Sequence, residues 1–365
     1  MEGPLESQYQ IALGRLLNMS YALRSRLSST LLSPIGRHSA PSSLRLQRYV
    51  SNKAKSSALN VENQPKTGQQ PPYGPIGVNA ALNCKPNDPT PSPTIFSHEF
   101  SLADRVALVS GGNRGLGLEM ALALIEAGAR VVYCVDLPKD PSAEWQAAHD
   151  YAKKLGSSGK TGGEGRLEYI TGDVTDQALM WKIGKQIGDK EGRMDACVAA
   201  AGILRSNIDC LEYPAEEFRK VIDVNVNGVL FTAQAAGRQM ERFGNGGSIV
   251  LIASMSGSIT NKDQAWVSYN TSKSAVIQMA RSMACELAPR KIRVNSLSPG
   301  YIYTSLTAAY LDSQPHLLEK WSSQNPMGRL GRPDELRGVV TWLTSDASTF
   351  CTGSDVLVSG GHHSW

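Results

Sequence analysis

From Arg105 onward the chain alternates between two hydrophobic rhythms. Short unbroken apolar runs at 106–109, 129–135, 167–170, 196–201, 248–253, 292–297 and 355–358 read as strands buried on both faces. Between them, segments 142–155, 176–188, 215–240, 266–288 and 333–345 place apolar residues three and four apart, the spacing of one helix face. Strict alternation implies right-handed crossovers and a seven-stranded parallel sheet with helices on both faces, an α/β architecture of three layers. Ligands on such sheets bind at the carboxyl ends of strands, near the switch in strand order. That edge collects the turn after the first strand with Asp173, Ala200, Ser254 and Pro299.

The turn after the first strand is Ser110-Gly111-Gly112-Asn113-Arg114-Gly115-Leu116-Gly117, and Leu118, Ala121, Leu122 and Ile125 then begin a helical period. Glycines let backbone approach a pyrophosphate, and the free N–H groups of a helix start favour its negative charge. Three glycines alone are weak evidence; a strand before and a helix after make the segment a phosphate cradle. A second glycine-rich stretch, around Gly159-Lys160-Thr161, mimics the end of a nucleotide-binding loop. It follows a helix and has Lys154 where that motif needs glycine, so it reads as a surface loop.

Composition separates the first hundred residues from the rest. They hold ten Lys/Arg against five Asp/Glu, while 101–365 hold 27 against 28. The basic excess is a tail property, and the folded part carries no nucleic-acid footprint. Residues 1–60 lack acids between Glu6 and Glu62 and interleave eight Lys/Arg with Ser and Leu, most clearly from Met19. This resembles a mitochondrial presequence, with Arg48-Tyr49-Val50-Ser51 resembling a matrix-processing site. Residues 61–99, rich in Pro, Asn, Gly and Gln, read as an unpacked linker, and 100–365 as the folded domain. No apolar run approaches the roughly 20 residues that span a bilayer. Six scattered cysteines without a C-x-x-C pair read as reduced thiols. His362 and His363 have no third ligand spaced nearby, so no metal is expected.

The strand at 248–253 delivers Ser254 to its end, and fifteen residues later Tyr269-Asn270-Thr271-Ser272-Lys273 opens a helix. Tyrosine and lysine at i and i+4 share one helix face. An ammonium there favours the phenolate, so the tyrosine pKa is expected to fall from near 10. Such a phenol exchanges protons with an alcohol or carbonyl oxygen, which the serine hydroxyl holds. A nicotinamide from the glycine cradle completes the parts for hydride transfer at a carbinol carbon.

These residues resemble the short-chain dehydrogenase/reductase family over roughly residues 102–361. The resemblance implies a Rossmann fold and assigns Ser254, Tyr269 and Lys273 as catalytic, with Asn225 of Asp223-Val224-Asn225 supporting a water-linked proton relay. Lys273 also holds the nicotinamide ribose, Asp173 and Val174 flank the adenine, and Pro299, Gly300, Ile302 and Thr304 line the nicotinamide. The usual Asn-Asn-Ala-Gly after the fourth strand is Ala199-Ala200-Ala201-Gly202 here, so contacts of Ala200 and Gly202 are expected to survive with less side-chain bracing and lower stability. Asp136 invites the NAD reading, because an acid accepts from ribose hydroxyls and repels a 2′-phosphate. It stands one residue later than the family spacing, where Val135 falls instead, and one step along a strand reverses a side chain. With Arg114 beside Gly115 to meet a 2′-phosphate, the reading leans to NADP over NAD. SGGNRGLG and the long segment after Asp136 are similar to fungal polyol dehydrogenases and sorbose- or arabinitol-type reductases, implying a sugar alcohol or ketose. A 3-oxoacyl thioester reductase and a non-catalytic coenzyme-binding subunit are the alternatives. Trp266, Tyr301, Tyr303, Tyr310 and Trp321 are candidate pocket rings, and the helices at 215–240 and 266–288 are expected to pair copies into dimers or tetramers.

Overall fold

The computed structural model describes residues 71–157, 165–205, 207–304, 307–308, 311 and 315–364. The presequence-like segment 1–60, the first ten linker residues, Gly159-Lys160-Thr161 and Tyr310 lie outside the described residues. A short helix α1 (Gly77–Asn83) and a π-helical turn (Ile95–Glu99) precede the sheet, and α1 buries none of its residues.

Seven strands follow: β1 (Val106–Ser110), β2 (Val131–Asp136), β3 (Arg166–Thr171), β4 (Ala196–Ala199), β5 (Gly247–Ile252), β6 (Ile292–Pro299) and β7 (Asp355–Val358). They form one sheet in the order β3-β2-β1-β4-β5-β6-β7, with every neighbouring pair parallel. The helices between them are α2 (Gly115–Glu126), α3 (Ala143–Ser157), α4 (Gln177–Glu191), α5 (Ala215–Ile222), α6 (Gly228–Phe243), α7 (Val267–Leu287), α8 (Pro315–Ser323) and α9 (Arg337–Thr344). The order of strands reverses between β1 and β4, the crevice where ligands of such sheets bind.

Alternation along β1 explains the layers. Val106 and Leu108 join a core with Met180 and Ile183 of α4, Val229 of α6 and Val276 of α7. Ala107 and Val109 join the opposite core with Leu124 of α2, Trp145 of α3 and Leu343 of α9. Each such Val or Leu contributes about 1.5–3 kcal/mol on burial, so a strand apolar on both faces is stable only as a middle layer. A third apolar cluster, Trp266, Leu311, Leu317, Trp321 and Leu330, with Tyr269 and Tyr301 packed against it, belongs to neither face.

Three elements depart from the sequence reading. β4 ends at Ala199, two residues early. The helix expected over 215–240 is interrupted by a π-helical turn at Asp223–Asn227. Its Asp-Val-Asn-Val-Asn run has low helix propensity throughout, and an inserted residue there re-aims Asn225 inward. Helix α8 adds an element beyond those the apolar periods predict.

Candidate active site

The cradle is built as its residue types require. β1 ends at Ser110, and α2 begins at Gly115, whose φ of +59° is left-handed backbone with open space where a Cβ would stand. A Cβ on Gly117 would overlap the Gly111 carbonyl oxygen, so only glycine lets the helix sit this close to the turn. Asn113 braces the turn from the side. Its Oδ1 accepts from Ser142 N–H at 2.7 Å while its main-chain oxygen accepts from the Ser142 hydroxyl at 2.6 Å. Sequence reasoning missed Ser142; its place just before α3 was the available signal.

Asp136, the last residue of β2, turns toward the cradle. Its Oδ2 accepts from Asn113 N–H at 3.0 Å and its Oδ1 from Leu137 N–H at 2.8 Å. Val135 points into the core shared with α4 and α6. The one-residue offset therefore does not turn the acid away, which removes one ground for the NADP lean. Arg114 is exposed at the start of α2, in extended backbone at φ −164°.

The remaining predicted coenzyme positions lie on the same edge of the sheet. Asp173 follows β3, with its Oδ1 accepting from the Thr175 N–H and hydroxyl, each at 2.8 Å. Val174 is buried beneath it in the sheet core. Ala200 donates its N–H to Ser110 O at 3.2 Å, and Ala201 donates to Ser110 Oγ at 3.4 Å, so Ser110 supplies bracing where two asparagine side chains are missing. Pro299 ends β6, Gly300 donates to Val358 O at 2.9 Å, and Ile302 bridges to Gly331. Thr304 closes on its own turn: its N–H donates to Thr307 Oγ1 at 2.7 Å.

Ser254, Tyr269 and Lys273 meet between β5 and the first turns of α7. The Ser254 hydroxyl lies close enough to the Tyr269 phenol to favour its ionised form, and accepts from Ser256 N–H at 3.2 Å. Lys273, 4% exposed, has its Nζ 5.6 Å from the Tyr269 ring centroid and donates to Ile252 O at 2.8 Å. A Cβ on Gly202, in the turn after β4, would stand 3.6 Å from that Nζ, in ordinary contact with it. Asn225, fully buried, clamps both sides: Oδ1 accepts from Ile203 N–H at 2.8 Å, and Nδ2 donates to Ile203 O at 2.9 Å and Ser272 Oγ at 3.0 Å.

The electrostatics differ from the sequence expectation. Burial pushes the Tyr269 phenol up, offset in part by the neighbouring Ser254 hydroxyl, rather than letting Lys273 pull it down. The same burial draws Lys273 down to about 8. Desolvation opposes charge on both groups, and at this depth it dominates both shifts.

The third cluster borders the phenol. Trp266 meets the Tyr269 ring edge-on at 6.1 Å and Trp321 at 6.2 Å; Tyr301 stacks on Trp321 at 4.4 Å, and His362 meets Tyr301 edge-on at 5.4 Å. Among the described residues no three His, Cys, Asp or Glu gather as a metal site. Two surface hollows elsewhere, one along Trp181 and Arg238 and one along Phe96 and Arg337, contain none of the expected site residues.

A nicotinamide dinucleotide fits what the chain provides: a cradle open at Gly115, an acid at the end of β2, and a lysine and phenol within one strand end of each other. The family profile described as enoyl-(acyl carrier protein) reductase matches residues 111–363. A short chain dehydrogenases/reductase of Aspergillus versicolor is 40% identical over 287 residues, covering 77% of this chain and 94% of that protein. The sorbose reductase of Schizosaccharomyces pombe is 39% identical over 266 residues, covering 72% and 97%. Among solved structures, a short-chain type dehydrogenase/reductase from Mycobacterium marinum is 39% identical, covers 72% of this chain and 96% of its own, and superposes with a TM-score of 0.62. With the glycine turn after β1, strands β2 to β7 and the serine–tyrosine–lysine group all inside residues 111–363, the chain belongs to the short-chain dehydrogenase/reductase family of NAD(P)-dependent oxidoreductases that act on CH–OH groups.

Proposed function

We propose that this chain interconverts a sugar alcohol and its ketose, with Tyr269 as the acid/base. The observation that carries the chemistry is the gathering of Ser254 at the end of β5 with the Tyr269 phenol and a buried Lys273 whose Nζ lies 5.6 Å from the Tyr269 ring. When bound, the nicotinamide would supply or accept the hydride, with Lys273 among the residues that would hold it. In the reducing direction Tyr269 donates its proton to the substrate oxygen as negative charge develops there, while Ser254 holds that oxygen. A phenol kept protonated by burial is suited to that role near neutral pH. Lys273, titrating at about 8, is matched to resupplying the proton. Asn225 acts by position: with both amide atoms engaged, it keeps the turn after β4 and the first turn of α7 in register around Lys273.

The sugar substrate is carried over from the sorbose reductase that matches 72% of this chain. For the coenzyme, Asp136 held against the cradle favours NAD, since its charge opposes a 2′-phosphate at the adenine ribose. Initial rates on a panel of polyols, ketoses and 3-oxoacyl thioesters, each with NAD and NADP forms, test both points. Turnover of thioesters alone refutes the sugar assignment; a tenfold preference for NADP refutes the coenzyme assignment. Residues 1–60 are proposed to direct the protein to mitochondria, tested by fusing them to a fluorescent reporter, and a cytosolic reporter rejects it. Among the described residues no helix is long and apolar enough to cross a membrane. Self-association through α5–α6 and α7 is proposed as well; a monomeric mass by light scattering rejects it.

A further inference from the structure

We propose that Asn261, Tyr301 and Trp266 form a hydroxyl-recognising subsite that selects uncharged polyhydroxylated substrates, an inference resting on the sugar reading above. Trp266 and Tyr301 belong to the cluster outside both sheet cores, which reaches the acid/base phenol through the Trp266–Tyr269 contact, and Asn261 joins it through the Tyr301 hydroxyl. An apolar cluster needed only for packing has no use for polar atoms. This one nonetheless buries Asn261 to 1% exposure and Trp266 to 6%. Asn261 Nδ2 donates to the Tyr301 hydroxyl at 3.0 Å, but Asn261 Oδ1 and Trp266 Nε1 have no partner among the described residues. Buried polar atoms are almost always paired, so two orphans beside the reaction centre call for a partner that the described residues do not supply.

The orphans are complementary. Oδ1 accepts, indole N–H donates, and the Tyr301 hydroxyl, already accepting from Asn261, still has a proton to give. A hydroxyl both donates and accepts, so neighbouring hydroxyls satisfy all three; reversing the Asn261 amide still leaves one amide atom for them. The stacked Tyr301 and Trp321 rings supply the flat apolar wall that carbon-bound hydrogens of a sugar chain pack against. Charge sets the class. Asn261 and the cluster's rings carry none, burial holds His362 beside Tyr301 toward its neutral form, and the nearby Lys320 is already paired with Asp263 at 2.9 Å. A carboxylate or phosphate finds no counter-charge here; a neutral polyol needs none.

The test uses full-length Trp266→Phe, which removes the N–H and keeps the ring, and Asn261→Leu. Tyr301→Phe, which removes one hydroxyl and keeps the stack, covers the case in which Asn261→Leu does not fold. The readout is kcat/KM for a ketose divided by kcat/KM for an aliphatic ketone without further hydroxyls. The ratio falls about tenfold per lost hydrogen bond, mainly through KM for the ketose. Unchanged ratios in the folded variants, or equal losses on both substrates, overturn the subsite while leaving the sugar reading intact. Wild-type protein inert toward every polyol and ketose overturns that reading and this inference with it.

Discussion

Lys273→Met should separate the stability of this fold from its chemistry. Burial holds the ammonium down from 10.5 to about 8, a difference of about 2.5 units. At about 1.36 kcal/mol per unit, wild-type protein bears a penalty of roughly 3 kcal/mol at pH 7 for keeping that charge inside. Methionine removes the penalty but leaves Ile252 O without its donor, a loss of about 1–3 kcal/mol. The net change at pH 7 is therefore small, between about 0 and 2 kcal/mol in favour of the variant. The pH dependence is sharper. Between pH 8 and 10.5 the native lysine is neutral while the unfolded chain still binds the proton, so wild-type stability rises with pH across that window. Methionine has no such term. Urea unfolding at about pH 7 and about pH 9.5 should show the variant losing roughly 2 kcal/mol relative to wild type over the interval, while its turnover is abolished at both. A stability difference that is flat with pH would refute the burial argument for Lys273, whatever happens to activity.

Further predictions rest on single contacts. Gly117→Ala drives a methyl into the Gly111 carbonyl, costing about 1–3 kcal/mol of stability and weakening coenzyme binding, readable by thermal shift with and without NAD. Ser254→Ala removes the hydroxyl beside the phenol and should lower kcat about 10²-fold with little change in melting temperature. Asp136→Asn removes the charge beside the cradle and should raise the NADP-to-NAD ratio of kcat/KM at least ~10-fold; an unchanged ratio would show that the acid does not select the coenzyme.

Much of the sheet is legible in the sequence because a parallel strand buried on both faces leaves an uninterrupted apolar run, as at Val106–Ser110 and Gly247–Ile252. The positions of Ser254, Tyr269 and Lys273 follow from one strand end and one helix period, and both are local. What the sequence conceals depends on depth or on distant partners. The opposite pKa directions of Tyr269 and Lys273 come from desolvation, which no i, i+4 spacing reports. Asp136 faces the cradle because β2 ends there and its carboxylate caps Asn113, a contact 23 residues away in the chain. The turn at Asp223–Asn227 looks helical by its flanks, and only the inward clamp of Asn225 on Ile203 explains the insertion. Asn261 is an isolated polar residue along the chain; it matters because Tyr301, forty positions on, returns to meet it.

The central claim is that the Tyr269 phenol moves the proton at the substrate oxygen. Tyr269→Phe keeps the ring, its packing against Trp266 and the cradle, and removes only the reacting hydroxyl. Ketose reduction by this variant, measured beside coenzyme binding by fluorescence titration, should fall by about 10³-fold or more, with coenzyme affinity within about threefold of wild type. A variant that retains binding and reduces ketose within tenfold of the wild-type rate would contradict the account.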